Sequence, residues 1–346
     1  MHFIYNKIRV RKKDSIVLFT IGIIFCVLIA FFKESIFPEK YFFDSLTLQY
    51  GVDHPIKETL DQSFSNTAYF YRIFHIDKNF AAPILALLVY FFVIFKLFKN
   101  YSVNYISFFS YALIIVYSAI AMVYLATYSK DLVLFLIVVL PFVYLEKKSL
   151  LIWSLFVVFY AFYFRNYWFI IIALFWGFKF FITQKPRLLL LAIPVYYILI
   201  SFMYNYIFGT PLSMIRYLTN LDRDAESAQT AIAIFIDGNN FLMEATNYFV
   251  TLIFLIVPIP LLLLGKPFYV ILTLLIMVFF YNFIKTYLKE YSNKDYTNIF
   301  SFVISFMLVQ SLFEPDYGSF VRHLAPLYPL IFVCIVKNVK NLEIEE

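Results

Sequence analysis

Eleven apolar runs cover most of this 346-residue chain, and each approaches the length that crosses a bilayer. A helix of roughly twenty apolar residues spans about 30 Å of hydrocarbon. The runs cover residues 16–32, 80–95, 105–127, 131–145, 149–164, 166–183, 188–208, 248–264, 267–284, 298–313 and 324–336. With 63% hydrophobic and 14% charged residues, the composition excludes a soluble globule. The sequence therefore predicts an all-α, polytopic integral membrane protein with about ten or eleven transmembrane helices.

Basic clusters between the runs indicate the orientation, because lysine and arginine collect on the cytoplasmic side of a membrane protein. These clusters lie in the N-terminal segment and at 96–99, 147–148, 185–187, 285–294 and 337–340. Eleven crossings cannot place all of them on one side, so one run does not cross. The best candidate is 248–264, because Pro258 and Pro260 remove two backbone donors from a helix in lipid.

We expect residues 1–346 to form a single transmembrane domain, since no soluble segment is long enough to bury a core of its own. Ten crossings and one re-entrant or interfacial segment leave two large outer segments, 33–79 and 209–247, and both termini in the cytoplasm. The segment from Ser213 has its apolar residues on one face, which predicts a helix along the membrane surface. Cys26 and Cys334 lie in apolar runs and are predicted to be packing residues.

The arginines do not follow the distribution of the lysines. This topology places five of them on the outer side, namely Arg72, Arg165, Arg216, Arg223 and Arg322. The planar guanidinium group matches phosphate oxygens in a way that an ammonium group does not. The asymmetry therefore predicts an outward-facing site for an anion.

Two short outer turns carry candidate residues for this site. Arg165 lies between two apolar runs and is either a cation in a cavity or an interfacial anchor that reaches toward water. Lys130 and Asp131 occupy another turn, where they could bind an anion or pair with each other.

Arg322 and His323 follow the turn-forming stretch 314–320 and precede the last apolar run. An arginine at the start of a helix is disfavoured by the helix dipole unless an anion binds there too. A histidine can accept a proton near neutral pH, so His323 is a candidate base. Glu314 and Asp316 flank the same turn as rival bases or as partners that orient the arginine. The alternative interpretation is a solvated turn with a neutral histidine.

Arg216 is a further candidate, since it stands apart from the acids at 222–226 that could pair with Arg223. The four histidines show no metal-ligand spacing, and none lies near a cysteine. The seven glycines form no phosphate-binding loop. We therefore expect no metal, no cofactor and no nucleic-acid partner.

Several short motifs together resemble a known family. They are Ser129-Lys-Asp131 opening a helix, Arg165 closing the next outward helix, a long outer loop, Pro258-Ile-Pro260 and the stretch from Gly318 to Pro326. This layout is similar to that of the Wzy-type repeat-unit polymerases of bacterial O-antigen, lipopolysaccharide and capsule synthesis, membrane glycosyltransferases of the GT-C kind. The resemblance covers most of the chain in layout and only these motifs in sequence.

The resemblance implies a bacterial inner-membrane enzyme that joins two undecaprenyl-pyrophosphate-linked oligosaccharides on the outer face, alongside a flippase and a chain-length regulator. The chemistry requires a base for the incoming hydroxyl group and cations for the leaving pyrophosphate. We assign the pyrophosphate to Arg165, Arg322, Lys130 and Arg216, and the base role to His323 with Asp316 as the substitute.

Three alternatives stay open. A lipid-phosphate-sugar transferase of the GT-C kind would use an acid of the first outer segment, such as Asp44 or Asp53, often with a metal. A flippase or exporter of lipid-linked sugars would place charges at mid-membrane. A membrane acyltransferase would need a histidine on an intramembrane helix, and the sequence places none deep in a span.

Overall fold

The computed structural model describes residues 12–54, 61–76, 80–103, 106–184, 187–221, 230–236 and 240–340. These residues contain seventeen α-helices and no β-strand, and one isolated bridge pairs Ala231 with Asp316. Because lipid offers no hydrogen-bond partners to the backbone, a chain this apolar satisfies its own N–H and C=O groups within helices. The predicted all-α fold of a polytopic membrane protein is confirmed.

Within the described ranges, seven helical stretches are long and apolar enough to cross a membrane. They are 17–36, 81–100, 108–125, 187–208, 267–290, 294–313 and 317–336. Three shorter apolar helices lie at 150–163, 168–181 and 241–256. The described chain divides into two compact units, one formed by 1–168 with 324–346 and the other by 169–323.

Among the described residues, the first unit holds nine helices, with α17 at its C-terminal end and one end residue each of α9 and α16 at its borders. They are α1 (Lys12–Ile36), α2 (Phe43–Asp53), α3 (Gln62–Ile73), α4 (Ala81–Asn100), α5 (Phe108–Leu125), α6 (Lys130–Leu134), α7 (Leu140–Leu145), α8 (Leu150–Tyr163) and α17 (Tyr328–Lys340), with α9 (Trp168–Gln184) and α16 (Tyr317–Leu324) at its borders. Helix α17 packs against α4 and α5, and α1 covers the same pair. Cys26 and Cys334 are buried in this unit and form no disulfide bond, as expected of packing residues.

A π-helical turn, Phe135–Val139, joins α6 to α7. Pro141 follows it and has no N–H group to continue the regular helical pattern. The indole N–H of Trp153 donates to the carbonyl oxygen of Val138 at 3.0 Å. Trp153, on α8, thus donates a hydrogen bond to a buried backbone carbonyl of the irregular turn.

The second unit contains α10 (Arg187–Phe208), α11 (Ser213–Leu221), α12 (Phe241–Ile256), α13 (Ile259–Leu263), α14 (Pro267–Glu290) and α15 (Lys294–Phe313), together with most of α9 and α16. Helix α12 packs against α10 and α15, and α11 packs against α15. The predicted helix after Pro211 is present as α11.

The proline pair interrupts the run 248–264 as predicted, since α12 ends at Ile256 and α13 begins after Pro258. The start of this run differs from the expectation. Helix α12 begins at Phe241, inside the predicted outer segment, because the Asn240 side chain accepts the N–H of Leu242 and caps the helix.

Candidate functional site

The first unit contains a buried ion pair at the start of α6. Arg165 Nη1 donates to Asp131 Oδ1 at 2.9 Å, and the two side chains are 11% and 2% exposed. Ser129 caps α6 by accepting the N–H of Leu132, and Tyr71 both donates to the Ser129 carbonyl and accepts its N–H. This capping fixes Asp131 in the first helical turn, where the helix dipole favours a carboxylate.

Lys130 lies beside this pair and is mostly buried. Its Nζ stands 3.4 Å above the ring of Phe64 and 4.0 Å from Asp61 Oδ2. Burial, and then the charge of Arg165, lower the pKa of Lys130 to about 8, although the acids around it oppose the change. The sequence left open a pair between Lys130 and Asp131. In the structure, Asp131 pairs instead with Arg165, from a later turn of the chain.

Arg165 stays cationic in this setting. Burial by itself lowers the pKa of its guanidinium, but the nearby Tyr167 and the Asp131 carboxylate outweigh burial, and the pKa is raised. Of the two interpretations of Arg165, the structure favours a buried cation over a solvated anchor. Its Nη1 is directed at a carboxylate of the protein.

In the second unit, His323 and Glu314 form a hydrogen-bonded pair. The two atoms joined are His323 Nδ1 and Glu314 Oε2, at 2.9 Å, and the Glu314 side chain is 1% exposed. Arg322 Nη2 lies 3.5 Å from the other ring nitrogen of His323. The tautomer in which Nδ1 donates to the Glu314 carboxylate leaves a lone pair on Nε2, on the side of Arg322.

The turn expected before the last apolar run is instead the short helix α16. Arg322 and His323 lie in its last turn. The expectation that Arg322 opens a helix is therefore wrong, and a helix C-terminus favours a cation without any bound anion. Asp316 explains the difference, because its Oδ1 accepts the N–H of Ser319 at 2.8 Å and so starts the helix.

Arg216 is 2% exposed and is directed at the end of α15. Its Nη2 donates to the carbonyl oxygens of Ser311 and Leu312, and its Nη1 lies 3.3 Å from Thr251 Oγ1. Burial lowers the pKa of Arg216, and the nearby Tyr248 and Glu314 oppose that change. The guanidinium thus occupies the negative end of the α15 dipole, where backbone acceptors lack helical partners.

The sequence interpretation missed Glu244, which is 5% exposed on α12. Its Oε1 accepts the backbone N–H of Ser213 at 2.9 Å and the hydroxyl of Tyr248 at 2.7 Å. A carboxylate at the first residue of α11 is favoured by the helix dipole. The available signal was a single acid in an otherwise apolar helix, which is a functional or structural site by default.

The candidate residues therefore fall into two groups. We call Lys130, Asp131 and Arg165 the Asp131 cluster, and we call Glu314, Arg322 and His323 the Glu314 cluster. Arg216 and Asp316 belong to the second unit, where they act on the ends of α15 and α16. Arg223 lies outside the described residues, as do the acids around it.

The first outer segment contributes a different set of acids. Asp44 lies in the first turn of α2, and Asp53 is the last residue of that helix. Among the residues that the structure describes, no group of three potential metal ligands occurs.

The fold and these clusters define an all-α, multi-pass membrane protein with buried charges in each unit. No protein-family model, no curated protein and no solved structure matches the chain. Its function is therefore inferred from its own residues.

Proposed function

We propose that this protein is a membrane glycosyltransferase that polymerises oligosaccharide repeat units carried on undecaprenyl pyrophosphate. The observation that carries the proposal is the Glu314 cluster. In it, the His323 imidazole is hydrogen-bonded to the buried Glu314 carboxylate and lies next to the Arg322 guanidinium. Glycosyl transfer from a lipid pyrophosphate requires a base and a cation, and this cluster contains one of each. The resemblance to Wzy-type polymerases supports the same class.

In the proposed reaction, a sugar hydroxyl of one lipid-linked unit attacks the anomeric carbon of the other glycan. The hydroxyl proton passes to His323 Nε2 as the new C–O bond forms. The bond from the anomeric carbon to the pyrophosphate oxygen breaks, and its electron pair leaves with the lipid pyrophosphate. Arg322 stabilises that charge, while Glu314 orients the imidazole and stabilises its protonated form.

The geometry changes the roles assigned to the other candidates. The Oδ1 atom of Asp316 caps α16, so we now propose His323 with Glu314, and not Asp316, as the base system. Arg216 donates to backbone carbonyls, which supports a structural role. In the Asp131 cluster, Lys130 is the better candidate for an anionic substrate, because Arg165 is paired with a carboxylate.

The proposal places the enzyme in a bacterial inner membrane with its reaction on the outer face. A flippase would supply the lipid-linked units there, and a chain-length regulator would be a natural partner. No cofactor is required, since a pyrophosphate is already a good leaving group and the proposed cations are side chains.

The experiment is the size distribution of surface polysaccharide on a gel, with a deletion strain compared with the same strain carrying the intact gene. If the protein is the polymerase, the ladder of the deletion strain should collapse to material bearing a single repeat unit. If all repeat-unit material disappears instead, the protein acts earlier, as a flippase or a transferase that builds the unit. In the second case, Asp44→Ala and Asp53→Ala become the informative variants.

One observation favours a second candidate, a membrane acyltransferase. His323 lies on a helix within the apolar stretch 317–336, whereas the sequence placed no histidine deep in a span. Such an enzyme would use the imidazole to activate a hydroxyl group for acyl transfer. The same gel separates the two, because loss of an acyltransferase leaves the ladder length unchanged and removes acyl groups from the sugar.

A further inference from the structure

A short segment, residues 230–236, crosses the linker between α15 and α16, and we call this segment the strap. The linker consists of residues 314–316, which lie in neither helix. The N–H of Ile232 in the strap donates to the Pro315 carbonyl oxygen of the linker at 2.9 Å. The isolated antiparallel bridge noted above also joins the strap to the linker. Ile232 is 3% exposed, so water has little access to this contact.

The Pro315 carbonyl oxygen has a second donor, Asn220 on α11. The Nδ2 atom of Asn220 lies 3.3 Å from that oxygen. A carbonyl oxygen has two lone pairs, so both donors can bind it at once. Because a proline has no N–H group, the central residue of the linker makes its backbone hydrogen bonds through this carbonyl. The strap and α11 therefore hold the linker together.

Both of these supports are anchored on α12. The Oδ1 atom of Asn247, a residue that is 2% exposed, accepts the N–H of Phe235 in the strap at 2.9 Å. The ring of Phe235 packs edge-on against Phe254, with the ring centroids 4.7 Å apart. Glu244 accepts the N–H of Ser213 at the first residue of α11. The strap and α11 thus reach the linker from one common helix.

The linker sets the positions of both members of the proposed base system. Glu314 is its first residue, and the Glu314 carboxylate is hydrogen-bonded to His323. Asp316 is its last residue and caps α16, the helix that carries His323. A displacement of the linker would therefore change the position of the carboxylate relative to the imidazole. A misplacement of about 1 Å at a catalytic group can cost about 10²-fold in rate.

We propose that Asn220 and Asn247 are positioning residues, which hold the linker and, through it, the Glu314–His323 pair. Asn220 acts on the linker directly, and Asn247 acts through the strap. The effect on rate rests on the proposed glycosyl transfer, whereas the position of His323 can be measured without that reaction.

Two variants each remove one support. Asn220→Leu removes the donor to the linker at nearly constant volume, and it also removes Oδ1, a buried acceptor with no hydrogen-bond partner in the described part of the chain. Asn247→Ala removes the acceptor that holds the strap. Thr219→Val and Thr246→Val are the matched controls, because each is next to one of these residues and its exposed hydroxyl donates to a carbonyl of its own helix.

The first measurement is the rate at which diethyl pyrocarbonate modifies His323 in the reconstituted full-length protein, with peptide mass spectrometry as the readout. His54 and His75 are exposed in the first unit and serve as internal references. The His323 side chain is 13% exposed and hydrogen-bonded, so we expect slow modification in wild type. Asn220→Leu and Asn247→Ala should each raise the rate severalfold relative to the references, and the threonine controls should leave it unchanged.

The second measurement is polymerisation of lipid-linked units by the same proteins. Asn220→Leu and Asn247→Ala should each lower kcat by about 10–10²-fold. KM should change little, because the two residues position the base and do not bind the substrate. In a Glu314→Gln background neither variant should lower kcat further, since the carboxylate that they position is already absent.

The outcomes separate this proposal from the proposed function. Unchanged modification of His323 in both folded variants overturns the proposal, as do losses of kcat that are equal with and without Glu314→Gln. If wild type does not polymerise while both variants still expose His323, the proposed glycosyl transfer is contradicted and the positioning of the pair is supported.

Discussion

Three buried cations of this protein are held by three different kinds of partner. Arg165 meets the carboxylate of Asp131, Arg216 meets backbone carbonyls at the end of α15, and Lys130 stands over an aromatic ring. Burying a charge is costly unless such a partner offsets the loss of water. We therefore expect the removal of each cation to change the free energy of unfolding in a different way.

The Asp131–Arg165 pair should behave as a coupled unit. Arg165→Met alone and Asp131→Leu alone each leave one buried charge without its partner, and each should lower the free energy of unfolding by about 3–5 kcal/mol. The double variant should recover most of that loss, because no unpaired charge remains. Unfolding in bicelles provides the measurement, and losses that simply add in the double variant would contradict the pairing.

Lys130 should give the protein a stability that depends on pH. Its pKa is lowered from 10.5 to about 8, chiefly by burial, so between these values the unfolded chain binds one more proton than the folded chain. The free energy of unfolding therefore rises with pH across this window, and the penalty for burying the charge is fully present below about pH 8. We expect the difference in unfolding free energy between wild type and Lys130→Met to change in favour of wild type from pH 8 to pH 10. A difference that is constant with pH would show that Lys130 titrates normally.

Sequence reasoning located Arg322, His323 and Glu314 because they lie within ten residues of one another, so that any local structure keeps them close. It did not find the partners of Arg216 or the role of Glu244. The Arg216 contact with Ser311 spans 95 residues of chain, and the contact between Ser213 and Glu244 spans 31. Contacts of that separation depend on helix packing, which a single sequence does not specify.

Individual helices follow from the sequence more directly than their ends do. The apolar runs predicted nearly every long helix, and Pro258 predicted the break after α12. Helix α16 was missed because Pro315 and Gly318 signal a turn, whereas the cap supplied by Asp316 starts a helix there. The boundary of α12 was missed for a similar reason, since Asn240 caps it within a polar stretch.

Arg216 should stabilise α15 without touching substrate. Arg216→Ala removes the donors to two backbone carbonyls, and we expect a loss of about 2–4 kcal/mol in the free energy of unfolding. Arg216→Lys keeps the charge but loses the forked geometry, so it should be intermediate. Activity per folded molecule should stay near that of wild type in Arg216→Lys. A large loss of activity in a stable Arg216→Lys protein would return Arg216 to the substrate site.

The π-helical turn between α6 and α7 should depend on Trp153. Trp153→Phe keeps a buried ring but removes the N–H that Val138 accepts, leaving a carbonyl without that donor, at a cost of about 1–3 kcal/mol. Trp176→Phe, at an exposed site, is the matched control and should change stability by less than about 0.5 kcal/mol. Equal melting temperatures for both variants would mean that the hydrogen bond contributes nothing.

For the whole molecule, composition and run length were sufficient to predict an all-α, multi-pass membrane protein. Every helix of this kind satisfies its own backbone in lipid, so the class follows from hydropathy alone. The number of crossings did not follow as directly, because three apolar helices in the described chain are shorter than the seven that are long and apolar enough to span. Short helices cross only where packing or a thinner bilayer allows it.

Polymerisation by purified protein tests the proposal that Glu314, His323 and Arg322 carry out glycosyl transfer. Wild type, Glu314→Gln, His323→Asn and Asp316→Asn would be supplied with lipid-linked repeat units in vesicles at equal amounts of folded protein. We expect wild type to extend the units into a ladder. His323→Asn should be slower by about 10²–10⁴-fold, as for loss of a general base, and Glu314→Gln should also be impaired. Asp316→Asn can still cap α16 and should retain the ladder. A normal ladder from stable His323→Asn and Glu314→Gln proteins would contradict the claim.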